Sequence, residues 1–190
     1  LSVSMILADS QNGEILAEVG SANYFDGARS GWVDMTRVPR SPGSTLKPFI
    51  YGLALEEGLV TPETLIEDRP TNFSGYRPQN FDMTYQGDVT VRHALQMSLN
   101  VPAVNLLESV SPAALVQRFR RGGLNPVFPK EEQPGLAIGL GGLGLSLADL
   151  VQAYAALANG GTKVELTNGV SKRAGPYKFD FILTRKAAWQ

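Results

Sequence analysis

The sequence predicts a chain that mixes strand and helix, with one early β-hairpin followed by a succession of short, packed helices. Three observations carry this. Residues 3–8 and 14–19 are β-prone runs joined by Asp9-Ser10-Gln11-Asn12-Gly13, whose Asn-Gly supplies the positive φ that a tight hairpin needs. Leu46, Phe49, Ile50, Leu53 and Ala54 recur at helical spacing within 44–57, and Gly58 stands where a helix commonly stops. Beyond that point, cap and stop residues mark out further helices, and no internal repeat interrupts the series.

Between hairpin and first helix, residues 21–42 are rich in Gly, Ser, Asp, Arg and Pro and lack periodicity, so they read as a long loop leading to Ser44. Thr61-Pro62-Glu63 has the form of a helix start, and 68–87 is a second irregular stretch. Helix returns over 89–97, and Pro102 opens another through 108. Ser111-Pro112 caps a third, which reaches Arg121 before Gly122-Gly123 ends it. Ser146 and Asp149 have capping-box spacing ahead of an amphipathic helix over 147–158, closed by Asn159-Gly160-Gly161. The tail after Lys163 is more polar, with a short apolar run at 179–183.

At 190 residues and 43% hydrophobic content, one domain with an appreciable core is expected. A net charge of −1 supplies no field that would recruit nucleic acid, and the cluster Arg118, Arg120, Arg121 reads as a solvated helix end. With no Cys and a single His, disulfides, thiol catalysis and zinc sites are set aside. His93, between Arg92 and Ala94, reads as a structural or surface residue rather than a triad base. The apolar stretch 135–158 is broken by Ser146, Asp149 and Gln152 and does not read as a membrane span. The first residues lack the basic start and cleavage site of a signal peptide, so a soluble piece of a longer protein is expected, with any targeting segment outside these residues.

Ser44-Thr45-Leu46-Lys47 puts a hydroxyl and an amine three residues apart, on one face of a helix. Serine needs a neighbouring base to become a nucleophile, and a lysine serves when burial favours its neutral amine. The positive end of the helix dipole acts the same way on Lys47 and stabilises negative charge developing beside Ser44. With 13 serines and 6 lysines in the chain, about 0.4 matches of this form arise by chance, so the flanks decide. Ser-x-Asn occurs at Ser10-Gln11-Asn12, Ser21-Ala22-Asn23 and Ser98-Leu99-Asn100. The first two fall in the hairpin turn and the loop after it. The third occupies a tight connection between two helices, where an i, i+2 pair can aim both side chains into one cleft.

The run Ser41-Pro42-Gly43-Ser44-Thr45-Leu46-Lys47-Pro48-Phe49 resembles the nucleophile segment of the bifunctional, class A penicillin-binding proteins. The stretch from Ala94 to Val104 around Ser98 and Asn100 also resembles that family, most of all its 1C branch. The resemblance covers about 3–162 and is loose from 164 onward. It implies an α+β fold of the penicillin-binding protein and β-lactamase type, with helices around an antiparallel sheet. It also implies a D,D-transpeptidase that cross-links peptidoglycan without a cofactor. Ser44 would attack the D-Ala-D-Ala peptide of a stem peptide, with Lys47 as its base. Ser98 would relay a proton to the leaving amine, and Asn100 would hold Lys47 and the substrate amide. β-Lactam antibiotics would acylate the same serine. The parent would be anchored at the periplasmic face of the cytoplasmic membrane and carry a glycosyltransferase domain outside this chain. A β-lactamase or D,D-carboxypeptidase, and a penicillin-sensing or peptidoglycan-binding module without turnover, are the alternatives.

The family's third motif, Lys-Thr-Gly or Lys-Ser-Gly, is absent, and Lys172-Arg173-Ala174-Gly175 does not replace it. The resemblance places that motif on a strand toward the C-terminus, lining the site, so the chain is expected to stop short of those strands and to be nearly inert by itself. Gly139-Leu140-Gly141-Gly142-Leu143-Gly144 formally satisfies the dinucleotide fingerprint, with Glu165 beyond it, but no strand precedes it. The same run ahead of a helix resembles the penicillin-binding family, so dinucleotide binding is not expected.

Overall fold

A computed structural model describes residues 3–129, 135–168 and 181–190. The hairpin forms as the Asn-Gly pair predicts: β1 (Met5–Ala8) pairs antiparallel with β2 (Ile15–Val19), and Met5 faces Val19. Gly13 alone takes the left-handed conformation, at φ 73°. The rest of the turn is held by the Asp9 carboxylate, which accepts from the Gln11 and Asn12 backbone N–H groups.

Helix α1 (Lys47–Glu56) is the centre of the molecule. The apolar spacing suggests one buried face, yet Phe49, Ile50, Tyr51, Leu53 and Ala54 are all buried, because other elements surround the helix. Packed around it are α3 (Asn100–Val110), α4 (Pro112–Arg121) and α6 (Arg185–Trp189). Phe49 meets Phe119 of α4 edge to face at 5.4 Å and Tyr154 at 5.6 Å; Tyr154 lies on α5 (Leu147–Ala158). The capping box of α5 forms: the Ser146 hydroxyl accepts from Asp149 N–H, and the Asp149 carboxylate accepts from Ser146 N–H.

Several expected boundaries move. Thr61-Pro62-Glu63 opens no helix: Thr64 N–H closes a turn onto Thr61, and the chain continues as β3 (Leu65–Asp68). That strand pairs antiparallel with β4 (Gly87–Thr90), which takes up Val89, the first residue assigned to the next helix. The helix itself, α2 (Val91–Gln96), starts where the Thr90 hydroxyl accepts from His93 N–H. Helix α3 begins two residues before Pro102, which then sits in its first turn, where a missing N–H costs nothing. Ser111 precedes α4 without a side-chain cap bond. Arg118 is not a solvated end: its guanidinium donates to Glu56 at 2.7 Å and to the Ile182 carbonyl, bridging α4, α1 and the segment before α6.

The α+β class therefore holds, with the strands of the described residues in two separate antiparallel pairs. Residues 169–180, including Lys172 to Gly175 and the start of the 179–183 run, lie outside the described residues. Phe181 bridges to Thr162, and Ile182 and Leu183 are buried against the core. Among the described residues, no helix is long and apolar enough to cross a membrane, and no group of three or more His, Cys, Asp or Glu could hold a metal ion.

Candidate active site

Ser44 lies in a 3₁₀ turn, Gly43–Leu46, that runs directly into α1, and Lys47 N–H donates to the Ser44 carbonyl. Pro48 follows in the first turn of α1. The turn is fixed from outside. Arg40 exchanges both backbone hydrogen bonds with Leu145, the Ser41 hydroxyl donates to the Gly141 carbonyl at 2.7 Å, and Tyr154 donates its phenol proton to the Thr45 carbonyl. The glycine-rich run thereby acquires a structural reason. Gly141 has φ 95°, and a Cβ there would lie 2.6 Å from the Gly43 nitrogen. The run lets two backbones approach at the serine turn, and a 3₁₀ helix, Leu136–Leu140, stands where the dinucleotide fingerprint needs a strand.

Ser98 and Asn100 stand at the junction of α2 and α3. Helix α2 ends with Ser98 N–H donating to the Leu95 carbonyl and Leu99 N–H to the Ala94 carbonyl, which places Ser98 in the left-handed region at φ 54°. Helix α1 ends with the same bond pattern, Gly58 to Leu55 and Leu59 to Ala54, and there the left-handed residue is a glycine, as sterics favour. A serine held in that conformation is strained, and such strain collects at functional sites.

The three polar side chains converge. Lys47, 1% exposed, points its Nζ at the Ser98 carbonyl oxygen at 2.5 Å, the Ser98 Oγ at 3.1 Å and the Asn100 Oδ1 at 2.6 Å. Burial pulls the Lys47 amine down from its usual 10.5 to about 8, while the oxygens around it favour the ammonium. Ser44 and Ser98 are both exposed, whereas Lys47 is buried. Among the described residues, the Ser44 hydroxyl makes no hydrogen bond, to Lys47 or elsewhere; the two residues are joined by one helical turn, in which Lys47 N–H donates to the Ser44 carbonyl.

The other Ser-x-Asn matches stay away from this cluster. Asn12 belongs to the hairpin turn, while Ser21 and Asn23 bond within their own loop, to the Gly31 carbonyl and the Phe25 N–H. His93 is exposed. Two residues that the sequence does not single out support the cluster: Asn80 accepts from Asn100 N–H at 2.7 Å, and the Gln79 carbonyl accepts from Asn100 Nδ2 at 2.7 Å. Both come from the irregular 68–87 stretch, which carries no periodic signal.

A serine turn opening a buried helix, with a Ser-x-Asn turn against the lysine that begins that helix, is the arrangement that the resemblance to the penicillin-binding proteins implies. The chain belongs to this family: residues 3–173 match the model of the penicillin binding protein transpeptidase domain, past the point at 162 where the resemblance fades. It is 43% identical to penicillin-binding protein 1C of Escherichia coli over 160 residues, covering 84% of this chain and 21% of that protein. The chain thus spans about a fifth of the length of the curated relatives it matches. In structure it is similar to penicillin-binding protein 1A of Haemophilus influenzae, with TM-score 0.73, 26% identity, and coverage of 87% of this chain and 24% of that one. It also shares the fold of PonA1 from Mycobacterium tuberculosis in complex with penicillin V, with TM-score 0.74, 24% identity, and coverage of 86% and 45%.

Proposed function

We propose that this chain carries the acylating half of a serine D,D-transpeptidase site, with Ser44 as nucleophile and Lys47 as base. The observation that supports it best is the buried Lys47 amine, held by Ser98 and Asn100 one turn behind Ser44. Neutral Lys47 takes the Ser44 proton as Oγ attacks the D-Ala-D-Ala carbonyl. The C–N bond then breaks, and the terminal D-Ala leaves as an amine after receiving a proton through Ser98. The ester on Ser44 is resolved by an amine of a second stem peptide, which restores the hydroxyl. Asn100 orients Lys47 and the substrate amide. A β-lactam, whose ring amide occupies the place of the peptide bond, acylates Ser44 and stalls.

On this reading residues 1–190 are part of one transpeptidase domain. The parent protein is a peptidoglycan cross-linking enzyme anchored at the periplasmic face of the cytoplasmic membrane, with a glycosyltransferase domain beyond this chain. In the full-length parent, Ser44→Ala abolishes covalent labelling by a fluorescent penicillin. Lys47→Ala slows labelling by about 10²–10⁴, the range for loss of a general base, while the protein still folds. Normal labelling kinetics in Lys47→Ala would remove Lys47 from the role. Transfer of the acyl group to an added amine marks a transpeptidase, and release to water alone marks a carboxypeptidase or β-lactamase.

The 190 residues contain no Lys-Thr-Gly, and the resemblance implies that one oxyanion donor is the Ser44 backbone N–H while the other lies on the strand that carries that motif. Loss of one such donor costs about 10²–10³ in rate. Intact-mass measurement on the chain with penicillin is expected to show adduct forming at least that much more slowly than in the parent; an equal rate would make the third motif dispensable.

A further inference from the structure

Asn80 is 3% exposed, and both ends of its side chain are fully engaged. Its Nδ2 lies 2.9 Å from each Asp68 carboxylate oxygen and 2.8 Å from the Thr84 carbonyl, while its Oδ1 accepts the Asn100 backbone N–H at 2.7 Å. Asp68, wholly buried at the end of β3, also accepts from Gln86 N–H at 2.8 Å. The adjacent Gln79 carbonyl accepts from the Asn100 side chain, whose Oδ1 is left facing Lys47. An amide at position 80 thus reads the first N–H of α3 with one end and a buried carboxylate with the other. Residue 79, beside it, sets which way the Asn100 amide is turned.

We propose that Asn80, backed by Asp68, is a positioning residue for acylation: it fixes the start of α3 and the 79–84 loop so that Asn100 presents its oxygen to Lys47. The inference rests on the reading of Lys47 as the base. The reason for Asn at this place is electrostatic and geometric. Asn100 N–H lies in the first turn of α3 and has no helical carbonyl to bond, so it takes an acceptor from outside the helix. An Asp at 80 would set a second carboxylate against Asp68, and an apolar residue would leave both Asp68 and the N–H short of a partner. Held this way, Asn100 keeps its Oδ1 2.6 Å from the Lys47 amine. Release of Asn100 takes away an oxygen that the ammonium donates to and exchanges it for water, so the Lys47 titration moves and the amine is no longer held in place.

The test titrates Lys47 by the ¹³Cε resonance in the folded 190-residue chain and measures penicillin acylation in the full-length parent. Asn80→Leu is expected to displace the Lys47 midpoint by about half a pH unit or more and, with the amine no longer held in place, to lower the acylation rate about tenfold. Asn80→Gln keeps the amide but displaces it by a methylene, so it remains folded and gives a shift in the same direction if Asn80→Leu does not fold. Leu124→Ala, a buried site just beyond α4, controls for plain loss of stability and leaves the midpoint unmoved. An unchanged midpoint together with unchanged acylation in a folded Asn80 variant overturns the proposal. A parent whose Ser44→Ala variant still labels overturns instead the functional reading on which it rests.

Discussion

The Nζ of Lys47 lies 2.6 Å from the Oδ1 of Asn100, a residue 53 positions further along the chain and on a different helix. The contact exists because α1 and α3 pack side by side, each with buried apolar residues, Ile50 and Leu53 on α1 and Ala103 and Leu107 on α3. The polar cluster therefore sits at one end of a hydrophobic interface, where the two helix starts meet, and the apolar packing sets its geometry.

The pH dependence of acylation follows from the buried amine. With the Lys47 midpoint near 8, the penicillin acylation rate of the parent is expected to rise about tenfold per pH unit below that value and to level off above it. The linkage has a definite sign. The folded-state value lies below the unfolded 10.5, so the cost of burying the ammonium is fully present below about pH 8 and is relieved as pH climbs toward 10.5. Chemical denaturation of the wild type and of Lys47→Met between pH 7 and 10 checks this. Wild type should gain stability relative to Lys47→Met across that window, and parallel curves would contradict a neutral buried amine.

Ser98→Gly separates strain from function. Release of the left-handed serine relieves about 1–2 kcal/mol. Opposing it are the chain entropy of glycine, about 0.5–1 kcal/mol, and one hydrogen bond to Lys47, about 0.5–1.5 kcal/mol. The melting temperature is expected to stay within a few degrees of wild type while acylation falls at least tenfold. A large drop in melting temperature would mean that Ser98 is mainly structural.

Gly141→Ala tests whether the glycine-rich run holds the serine turn. A Cβ at φ 95° would meet the Ser41 Oγ and lie 2.6 Å from the Gly43 nitrogen. Left-handed strain and overpacking together predict a loss of about 2–4 kcal/mol, with slower acylation because the Ser44 turn must move. Differential scanning calorimetry and labelling kinetics read the two effects, and a variant normal in both would show that the turn is set elsewhere.

The hairpin leaves apolar side chains in solvent: Met5 and Leu7 are each 60% exposed and Val19 is 42% exposed, with Met5 directly opposite Val19. A strand pair of this kind associates through its uncovered face or edge. Sedimentation velocity on the 190-residue chain is expected to show concentration-dependent association that Leu7→Lys weakens several-fold. A chain that stays monomeric at high concentration would argue against the hairpin as a contact surface.

What the sequence alone determined about this protein is local in origin. Asn12-Gly13 marks the hairpin turn, Gly58 the end of α1, and Ser146 with Asp149 the start of α5, because each is decided by backbone sterics and capping bonds within a few residues. Ser44 and Lys47 are legible as a pair for the same reason, since one helical turn sets their relation. Ser98 and Asn100 could be singled out by motif and flanks. Only the tertiary structure decided that both reach Lys47, because that requires α1 and α3 to pack in one register. It alone turned 61–64 away from helix, since Thr64 and Pro62 accept hydrogen bonds from Val91 and Arg92 beyond β4, a pairing with no local signature. Asp68 and Asn80 were illegible for a related reason. They lie in an aperiodic stretch, and their importance comes from burial and from partners far along the chain.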